Sequence, residues 1–405
     1  MLPAAAALLG LPLRPSISAA QRASAPALDE VVAFALHHNP DLQGARLRVD
    51  SATAEHRIAA SYPNPTLSAS PGNPSQYAVG VPVDVGPQRI YRTRAARLGR
   101  VAAALDSAEA TREVVFSARQ AFFDVLLADS LAGLARQQRE IFRQLLAADS
   151  VRLRSGDIPV RDVARSELEL ARAEARRQRA DAAVRAARIA LQLVMGAPRP
   201  DTAFTVSGSL QYRSTSFDRD TLMALAERRR PDLQAARERV QQSATLHSLA
   251  VAQLLPVPSV GVVYQPHDPF VSGKHVALGV GVQLPIWNWY GGERQRARAG
   301  LAISEQAQRR AQLQVESDVT ASADAFAAAR VLAESYESGL LAKATADLDA
   351  ARYAYQSGAT SLVDLLSAIN SYVDIRTEYF TAAHDYWVSA YALDRAVGAD
   401  VVHGS

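Results

Sequence analysis

Two long stretches without proline most constrain the fold of this chain. They run from Gln88 to Arg154 and from Gly291 to Ser357, and each contains 67 residues. Within the first stretch, Phe123, Leu127 and Leu134 recur at helical spacing on one stripe. At 1.5 Å per residue, each stretch predicts a helix of roughly 100 Å. Helices of this length need equally long neighbours to cover their apolar stripes.

The chain is also an internal repeat. The segment "NPDLQGARLRVDSA" from Asn39 matches "RPDLQAARERVQQSA" from Arg230, and the spacing from Gly156 to Gly196 equals that from Gly358 to Gly398. Each half is therefore predicted to contain a first helix, a strand pair, the long helix, a glycine turn and a returning helix. We expect the returning helix of one half to stack end to end with the first helix of the next.

These patterns give expected boundaries. Residues 1–25 combine an apolar run with small residues, which predicts a signal peptide or disordered export segment. Repeat 1 is placed at 26–196 and repeat 2 at 221–398, with a linker at 197–220 and a tail at 399–405. The expected elements are strands at about 64–70, 76–85, 258–265 and 275–287, long helices at 88–154 and 291–357, and tips at 155–159 and 357–361.

The strands have one apolar face and one face of small or polar residues. In "VALGVGVQLPIWNW", Val276, Leu278 and Val280 alternate with Gly279 and Gly281. About ten alternating residues are typical of a transmembrane β-strand, and a half-buried hairpin packed on helices is the alternative. Open sheet edges are not tolerated in lipid, so membrane strands of this kind require several chains to share one barrel.

Aromatic residues follow the last of these strands. Trp287, Trp289 and Tyr290 lie where the strand is expected to end. Aromatic side chains favour the interface between lipid and water, and we therefore interpret these three as interface residues.

Composition excludes several classes of function. The chain has no cysteine, which removes thiolate nucleophiles, thiolate metal sites and disulfides. The net charge of +3 does not favour nucleic-acid binding. No catalytic triad, P-loop or metalloprotease spacing is present, so we expect neither catalysis nor a cofactor. His267, Asp268 and His275 flank an expected extracellular loop, where solvated histidines are favoured over a metal site.

The motifs together resemble a known family. The resemblance lies in the element order and in the motifs "SYPNPTLS", "LPIWNWYGGERQRA" and "SGATSLVDLL". From Leu28 to Gly398 the chain resembles the TolC family of outer-membrane efflux channels, and its pattern is closer to the cation-efflux (CzcC-like) branch of that family. The resemblance implies a mainly α fold with a small membrane β-barrel and a long antiparallel α-helical barrel, closed only in a homotrimer. It also implies outer-membrane lipid, a periplasmic adaptor protein and an inner-membrane pump, of RND type, as partners.

The resemblance further implies a gate at the periplasmic tips. Asp364 matches an aspartate that forms a ring around the channel axis, and Ser367 occupies a second ring position. A helix-start carboxylate is the alternative interpretation of Asp364 and of Asp162. The adaptor is expected to contact the residues of the two tips, which are Ser155, Gly156, Asp157, Ser357, Gly358 and Ala359.

A hydrogen bond is expected to hold the closed tips together. Tyr355 matches a family tyrosine whose partner aspartate is Asp162 here. The family arginine that strengthens this contact is replaced by Thr360, and Arg161 is the candidate substitute.

Three other functions remain open from the sequence. A duct for protein secretion would have the same architecture. A soluble periplasmic coiled-coil scaffold would account for the helices and the repeat, but not for the apolar strands. An enzyme with a helical shell would need a pocket of convergent polar groups, which the repeat does not offer.

Overall fold

The computed structural model describes residues 25–72, 75–212, 219–266 and 275–401. The elements follow the order predicted from the repeat. They are α1 (Leu28–His38), α2 (Pro40–Ala60), β1 (Thr66–Ser70), β2 (Gln76–Pro82), α3 (Pro87–Ser155), α4 (Val160–Met195), α5 (Arg219–Arg229), α6 (Pro231–Ala252), β3 (Pro258–Gln265), β4 (His275–Val282), α7 (Gly291–Ser335), a π-helical turn (Tyr336–Leu340), α8 (Leu341–Gln356) and α9 (Leu362–Val397).

The longest helix, α3, shows how the sequence defines these rods. Its 69 residues begin with Pro87, which suits a first helical turn because its missing N–H needs no partner there. The helix ends at Ser155 and is capped by Gly156, whose φ of 83° lies in the left-handed region. Phe142 and Val125 are fully buried on its apolar stripes. The rod is roughly 100 Å long.

Each returning helix stacks on the first helix of its own half, not on that of the next half as expected. A Cβ added at Gly196, where α4 ends, would lie 2.5 Å from the carbonyl oxygen of His38. In each half, the first helix is interrupted before a proline, at Asn39 or Arg230. The side chain of that residue bonds to the end of the returning helix. The amide Nδ2 of Asn39 donates to the carbonyl of Val194 at 2.8 Å, and Arg230 Nη1 donates to that of Ala396 at 3.3 Å.

The helices form one layer of four rods, which we call staves. Contacts join α3 to the α2–α4 pair on one flank and to the α6–α9 pair on the other. The α7–α8 rod contacts α6 and α9 and completes the layer. One edge of the layer is therefore the α2–α4 stave and the other is the α7–α8 stave.

The four strands form an antiparallel sheet in the order β1-β2-β3-β4. This order continues that of the staves, because each strand is joined to one of them. One register row contains only glycine and threonine and is formed by Thr66, Gly80, Gly261 and Gly279. The next row contains only large apolar residues and is formed by Leu67, Val79, Val262 and Leu278. The predicted alternation of apolar and small residues is thus aligned across all four strands.

The second long helix is not continuous, in contrast to the uninterrupted helix expected at 291–357. The π-helical turn at Tyr336–Leu340 contains Gly339 with a φ of 139°. A Ser-Gly pair is a common cause of such a break. Two reciprocal hydrogen bonds hold the turn to α9: the Tyr336 hydroxyl donates to Glu378 at 2.8 Å, and the Tyr379 hydroxyl donates to Glu337 at 3.0 Å.

Candidate functional site

The sheet presents a broad apolar face to its surroundings. Leu278 is 88% exposed, and its row partners across the sheet are also exposed. The same face carries further exposed valines and a tyrosine, at Tyr77, Val81, Val260, Val276 and Val280. A contiguous apolar surface of this extent is typical of an interaction with a membrane or a partner protein. Among the residues that the structure describes, no helix is both long and apolar enough to cross a bilayer.

The predicted interface aromatics lie in the connection after β4, not at the end of the strand. The strand ends at Val282 because Pro285 cannot donate a ladder hydrogen bond and the Ile286 N–H donates locally to Leu284. Trp287 is 95% exposed and Trp289 is also exposed. Tyr290, with a φ of 51°, precedes the first turn of α7. These aromatics therefore lie between the sheet and the helical layer.

At the opposite end of the layer, two tight turns form the tips. Gly156 and Gly358 cap α3 and α8 in the left-handed conformation. Each turn is closed by backbone hydrogen bonds, from Asp157 N to Arg152 O at 2.9 Å and from Ala359 N to Ala354 O at 2.8 Å. All six predicted tip residues are exposed: Ser155, Gly156, Asp157, Ser357, Gly358 and Ala359. The tips are thus available for contact with another protein.

Asp364 caps the helix that follows the second tip. Its carboxylate accepts from the hydroxyls of Ser361 at 2.6 Å and Thr360 at 2.9 Å, while its backbone N–H donates to Ser361 Oγ at 3.2 Å. The hydroxyl of Ser361, and then that of Thr360, hold the pKa of Asp364 below its ordinary value. The helix-start role is therefore present, and the exposed carboxylate remains charged near neutral pH.

Asp364 begins an exposed stripe along α9 that the sequence analysis did not identify. Seven exposed residues follow one another at alternating spacings of three and four. Four are carboxylates and three are hydroxyl residues, with no lysine or arginine: Asp364, Ser367, Ser371, Asp374, Glu378, Thr381 and Asp385. The strict alternation of three- and four-residue spacings between these polar residues could have identified the stripe from the sequence. A row of negative groups attracts cations and repels anions.

The hydroxyl of Tyr355 donates to Asp149 Oδ1 at 2.7 Å and not to Asp162, the partner expected from the sequence. Asp149 is fully buried and also accepts from Ser166 Oγ at 2.6 Å. We call Asp149, Ser166 and Tyr355 the tip network. Side chains on a helix lean toward its N-terminus, so the tyrosine near the end of α8 leans away from the tip and reaches Asp149 on α3.

The tip network joins three helices, and its electrostatics are well defined. Burial first, and then the hydrogen bond to Asp149, raise the pKa of Tyr355, so the phenol is neutral and donates. The guanidinium of Arg152 lies 5.0 Å from the centre of the tyrosine ring. The tip network therefore connects the α3–α4 hairpin to α8 through a buried carboxylate.

The remaining predicted gate residues lie around this network. Asp162 is in the first turn of α4, where Arg161 Nε approaches its carboxylate at 3.6 Å. Arg161 is largely exposed and approaches the carboxylate of its own neighbour, so its role as the substitute for the family arginine stays a prediction. Ser367 is exposed one turn beyond Asp364.

The two edges of the layer carry exposed apolar side chains. The flanking stave α7 buries few of its residues, because helices cover it from one side only. The exposed apolar residues of the two edges are Ile303, Leu313 and Val331 on α7, Leu47 and Ile58 on α2, and Leu168 and Leu193 on α4. Both edges are thus suited to further helix packing.

Metal binding receives no support in the part of the chain that is described. No group of three or more histidine, aspartate, glutamate or cysteine side chains suited to a metal ion occurs in it. Three residues of the loop considered as a metal site lie outside the described residues: His267, Asp268 and Lys274. The side chain of His275 lies outside them as well. The expected export segment falls outside as well, except for residue 25.

Comparison with known proteins gives consistent results. No family model matches the chain. The cobalt-zinc-cadmium resistance protein CzcC of Cupriavidus metallidurans is 23% identical over 382 residues, covering 92% of this chain and 90% of CzcC. The outer membrane channel CmeC of Campylobacter jejuni has a TM-score of 0.81 at 17% identity, over 92% of this chain and 86% of CmeC. The outer membrane protein VceC of Vibrio cholerae has a TM-score of 0.78 at 18% identity, over 92% of this chain and 96% of VceC.

The chain therefore has the fold of outer-membrane channels of the TolC family. The resemblance expected from the sequence motifs is confirmed, and so is the mainly helical architecture with one four-stranded sheet.

Proposed function

We propose that the chain is the outer-membrane channel of a tripartite efflux system, which gives its substrate a passive exit from periplasm to exterior. The observation that carries this proposal is the aligned apolar row of the sheet, from Leu67 to Leu278, continued directly by staves of roughly 100 Å. A soluble scaffold would not be expected to expose valines in register across a whole sheet, because large apolar patches are rare on soluble proteins. The function requires no catalysis and no cofactor.

The proposal includes assembly as a homotrimer. Both edges of the sheet and both edges of the stave layer are open in one chain. A sheet edge in lipid must find a partner strand, so β1 of one copy would pair with β4 of the next. The exposed apolar residues of α7 would then pack against those of α2 and α4 from the neighbouring copy. The same contact repeated around an axis closes a ring.

We propose that the tips form a gate and that the α9 stripe lines the path. In a ring of identical chains, Asp364 repeats around the axis and concentrates cations at the entrance. The carboxylates further along α9 continue this negative surface. Divalent metal cations are therefore the proposed substrate class, in agreement with the cobalt, zinc and cadmium named for CzcC.

The tips are also the proposed contact with a periplasmic adaptor. The turns at Gly156 and Gly358 project beyond the helices that precede them and expose their polar side chains. An inner-membrane pump of RND type would supply the energy through that adaptor. An ABC-type pump would make the same channel a duct for protein secretion.

The apolar face provides the test. Val280→Arg places a charge on this face, which costs about 2–4 kcal/mol at the middle of a bilayer. We expect the variant to be lost from the outer-membrane fraction. Gly279→Ser, on the other neighbour of Val280 and on the opposite face, is the matched control; an added Cβ there has no contact closer than 3.9 Å, so the variant should assemble and conduct in planar bilayers. Equal assembly of both variants, or recovery of the intact wild type in the soluble periplasm, contradicts the proposal.

A further inference from the structure

A cavity lies directly below the sheet, where α3 begins. Its volume is about 620 Å³, and it is open to solvent. Its wall combines arginines with apolar residues and consists of Ala60, Val85, Gly86, Arg89, Ile90, Thr93, Arg94 and Arg97. We call it the arginine cavity. The channel proposal gives it no role.

The arginines at the start of α3 give the cavity a positive charge. Residues 87–105 contain five arginines and no aspartate or glutamate. Arg92, outside the cavity, pairs with Asp84 at 2.7 Å. Arg94 and Arg97 lie three residues apart on one exposed face of α3, and within the described part of the chain neither has a carboxylate partner.

Arg89 closes the upper wall of the cavity. Its guanidinium stacks on the ring of Tyr62 at 3.7 Å, and its Nη2 donates to the carbonyl of Ala60 at 2.6 Å. Its Nε–H is buried without a hydrogen-bond partner in the described structure. This N–H has no exposed surface, so an anion in the cavity would meet the positive charge of the guanidinium and not this donor.

The cavity lies between the start of α3 and the end of α2. Seven of its eight lining residues immediately precede α3 or belong to its first turns, and the eighth, Ala60, is the last residue of α2, which is part of an edge stave. Val85 and Ile90 are exposed beside it, directly after the strand that carries the exposed Tyr77, Val79 and Val81. Apolar side chains are thus above the arginines, on the way to the apolar sheet face.

We propose that the arginine cavity binds the phosphate headgroup of an anionic phospholipid in the inner leaflet of the surrounding membrane. Arg94 and Arg97 would donate to the phosphate oxygens, for which the planar guanidinium is well suited, and Arg89 would add positive charge beside them. Val85 and Ile90 would contact the upper part of the acyl chains. This inference rests on the proposed membrane position of the sheet. Basic residues next to a membrane attract anionic lipid by about 1 kcal/mol each.

The test uses the full-length protein, purified in detergent and titrated with short-chain phosphatidylglycerol, phosphatidylcholine or inorganic phosphate. Binding is followed by native mass spectrometry and by the melting temperature. We expect wild type to prefer phosphatidylglycerol over phosphatidylcholine by roughly tenfold or more, since two arginine contacts at about 1 kcal/mol each correspond to about 30-fold. Inorganic phosphate should bind more weakly than phosphatidylglycerol. Phosphate binding that equals it would mean a free-anion site and overturn the lipid assignment.

The variant Arg94→Gln/Arg97→Gln should lose this preference. Arg48→Gln/Arg165→Gln is the charge-matched control, because both arginines are exposed on other helices, and it should keep the preference. The variant Arg94→Lys/Arg97→Lys retains charge without the planar fork and should bind with intermediate affinity. If the glutamine variant does not fold, the lysine variant and the salt dependence of wild-type binding decide the question. Unchanged lipid preference in the folded glutamine or lysine variant overturns the proposal.

Failure of the channel proposal gives a different result. A wild-type protein that neither fractionates with the outer membrane nor inserts into bilayers contradicts the channel. A protein that inserts and conducts but shows no preference for anionic lipid contradicts only the arginine cavity as a lipid site.

Discussion

Removing one hydroxyl from the tip network tests whether that network holds the gate closed. In the variant Tyr355→Phe, the ring keeps its volume and its contact with Arg152, while the 2.7 Å hydrogen bond to Asp149 is lost. Asp149 is fully buried, and within the part of the chain that the structure describes the hydroxyl of Ser166 is then its remaining side-chain donor. The perturbation is therefore confined to one bond and the carboxylate left behind.

The size of the effect follows from the charge of the acceptor. A hydrogen bond to a charged group contributes about 1.5–3 kcal/mol, more than a bond between neutral groups. If opening separates α8 from α3, the substitution destabilises the closed state by this free energy and leaves the free energy of the open state unchanged. Every 1.4 kcal/mol corresponds to a factor of ten, so the open population should rise roughly 10- to 100-fold.

Single-channel recording in planar bilayers measures this population directly. We expect Tyr355→Phe to increase open probability or mean conductance, while Tyr353→Phe remains like wild type. Tyr353 lies on the same helix, and its side chain is exposed, which makes it a matched control. Identical recordings from the two variants, with both proteins folded, would refute the assignment of the tip network to the gate.

Two further predictions concern the sheet and the contact between α3 and α9. Gly261→Ala should impair assembly because its Cβ would lie 2.8 Å from the backbone oxygen of Val79, whereas Gly279→Ala, with contacts no closer than 3.9 Å, should be tolerated; heat-stable trimer on a gel distinguishes them. Burial lowers the pKa of His384, but hydrogen bonds to Asp124 at 2.8 Å and Asp385 at 2.9 Å outweigh it and raise the pKa above its ordinary value. The stabilisation is then complete below about pH 6.5 and is lost as pH rises through the folded pKa. Wild type should melt at a higher temperature at about pH 6 than at about pH 8, and His384→Gln should show a smaller difference; an equal difference in both contradicts the assignment.

The sequence predicted those parts of the fold that depend on local periodicity. The helix α3 is identified by the absence of proline and the helical spacing of apolar residues. The hairpin turns are identified by the glycine at each tip. The alternation in β4 identified its apolar face. These features are encoded within a few turns or a few strand residues, so a single sequence contains them.

Features that depend on packing between helices were not predictable in the same way. The partner of Tyr355 is set by the rotation and lean of α8 against α3, so the matching family position, Asp162, was the wrong choice. The stacking of α4 on α2 depends on Asn39 reaching the end of a helix 155 positions away. The π-helical turn at Gly339 also gave no clear signal, because Gly300 occurs within α7 without breaking it.

The two long rods differ in a way that bears on gating. The first, α3, is uninterrupted and is covered on both flanks, so it has neighbours that oppose bending. The second is divided by the π-helical turn, and below that turn α8 packs chiefly on α9. The reciprocal tyrosine–glutamate pairs fix the turn to α9, and the tip network fixes the far end of α8 to α3. Because α8 has fewer neighbouring helices than α3, we expect a gate at the tips to open by displacing α8 while α3 stays in place.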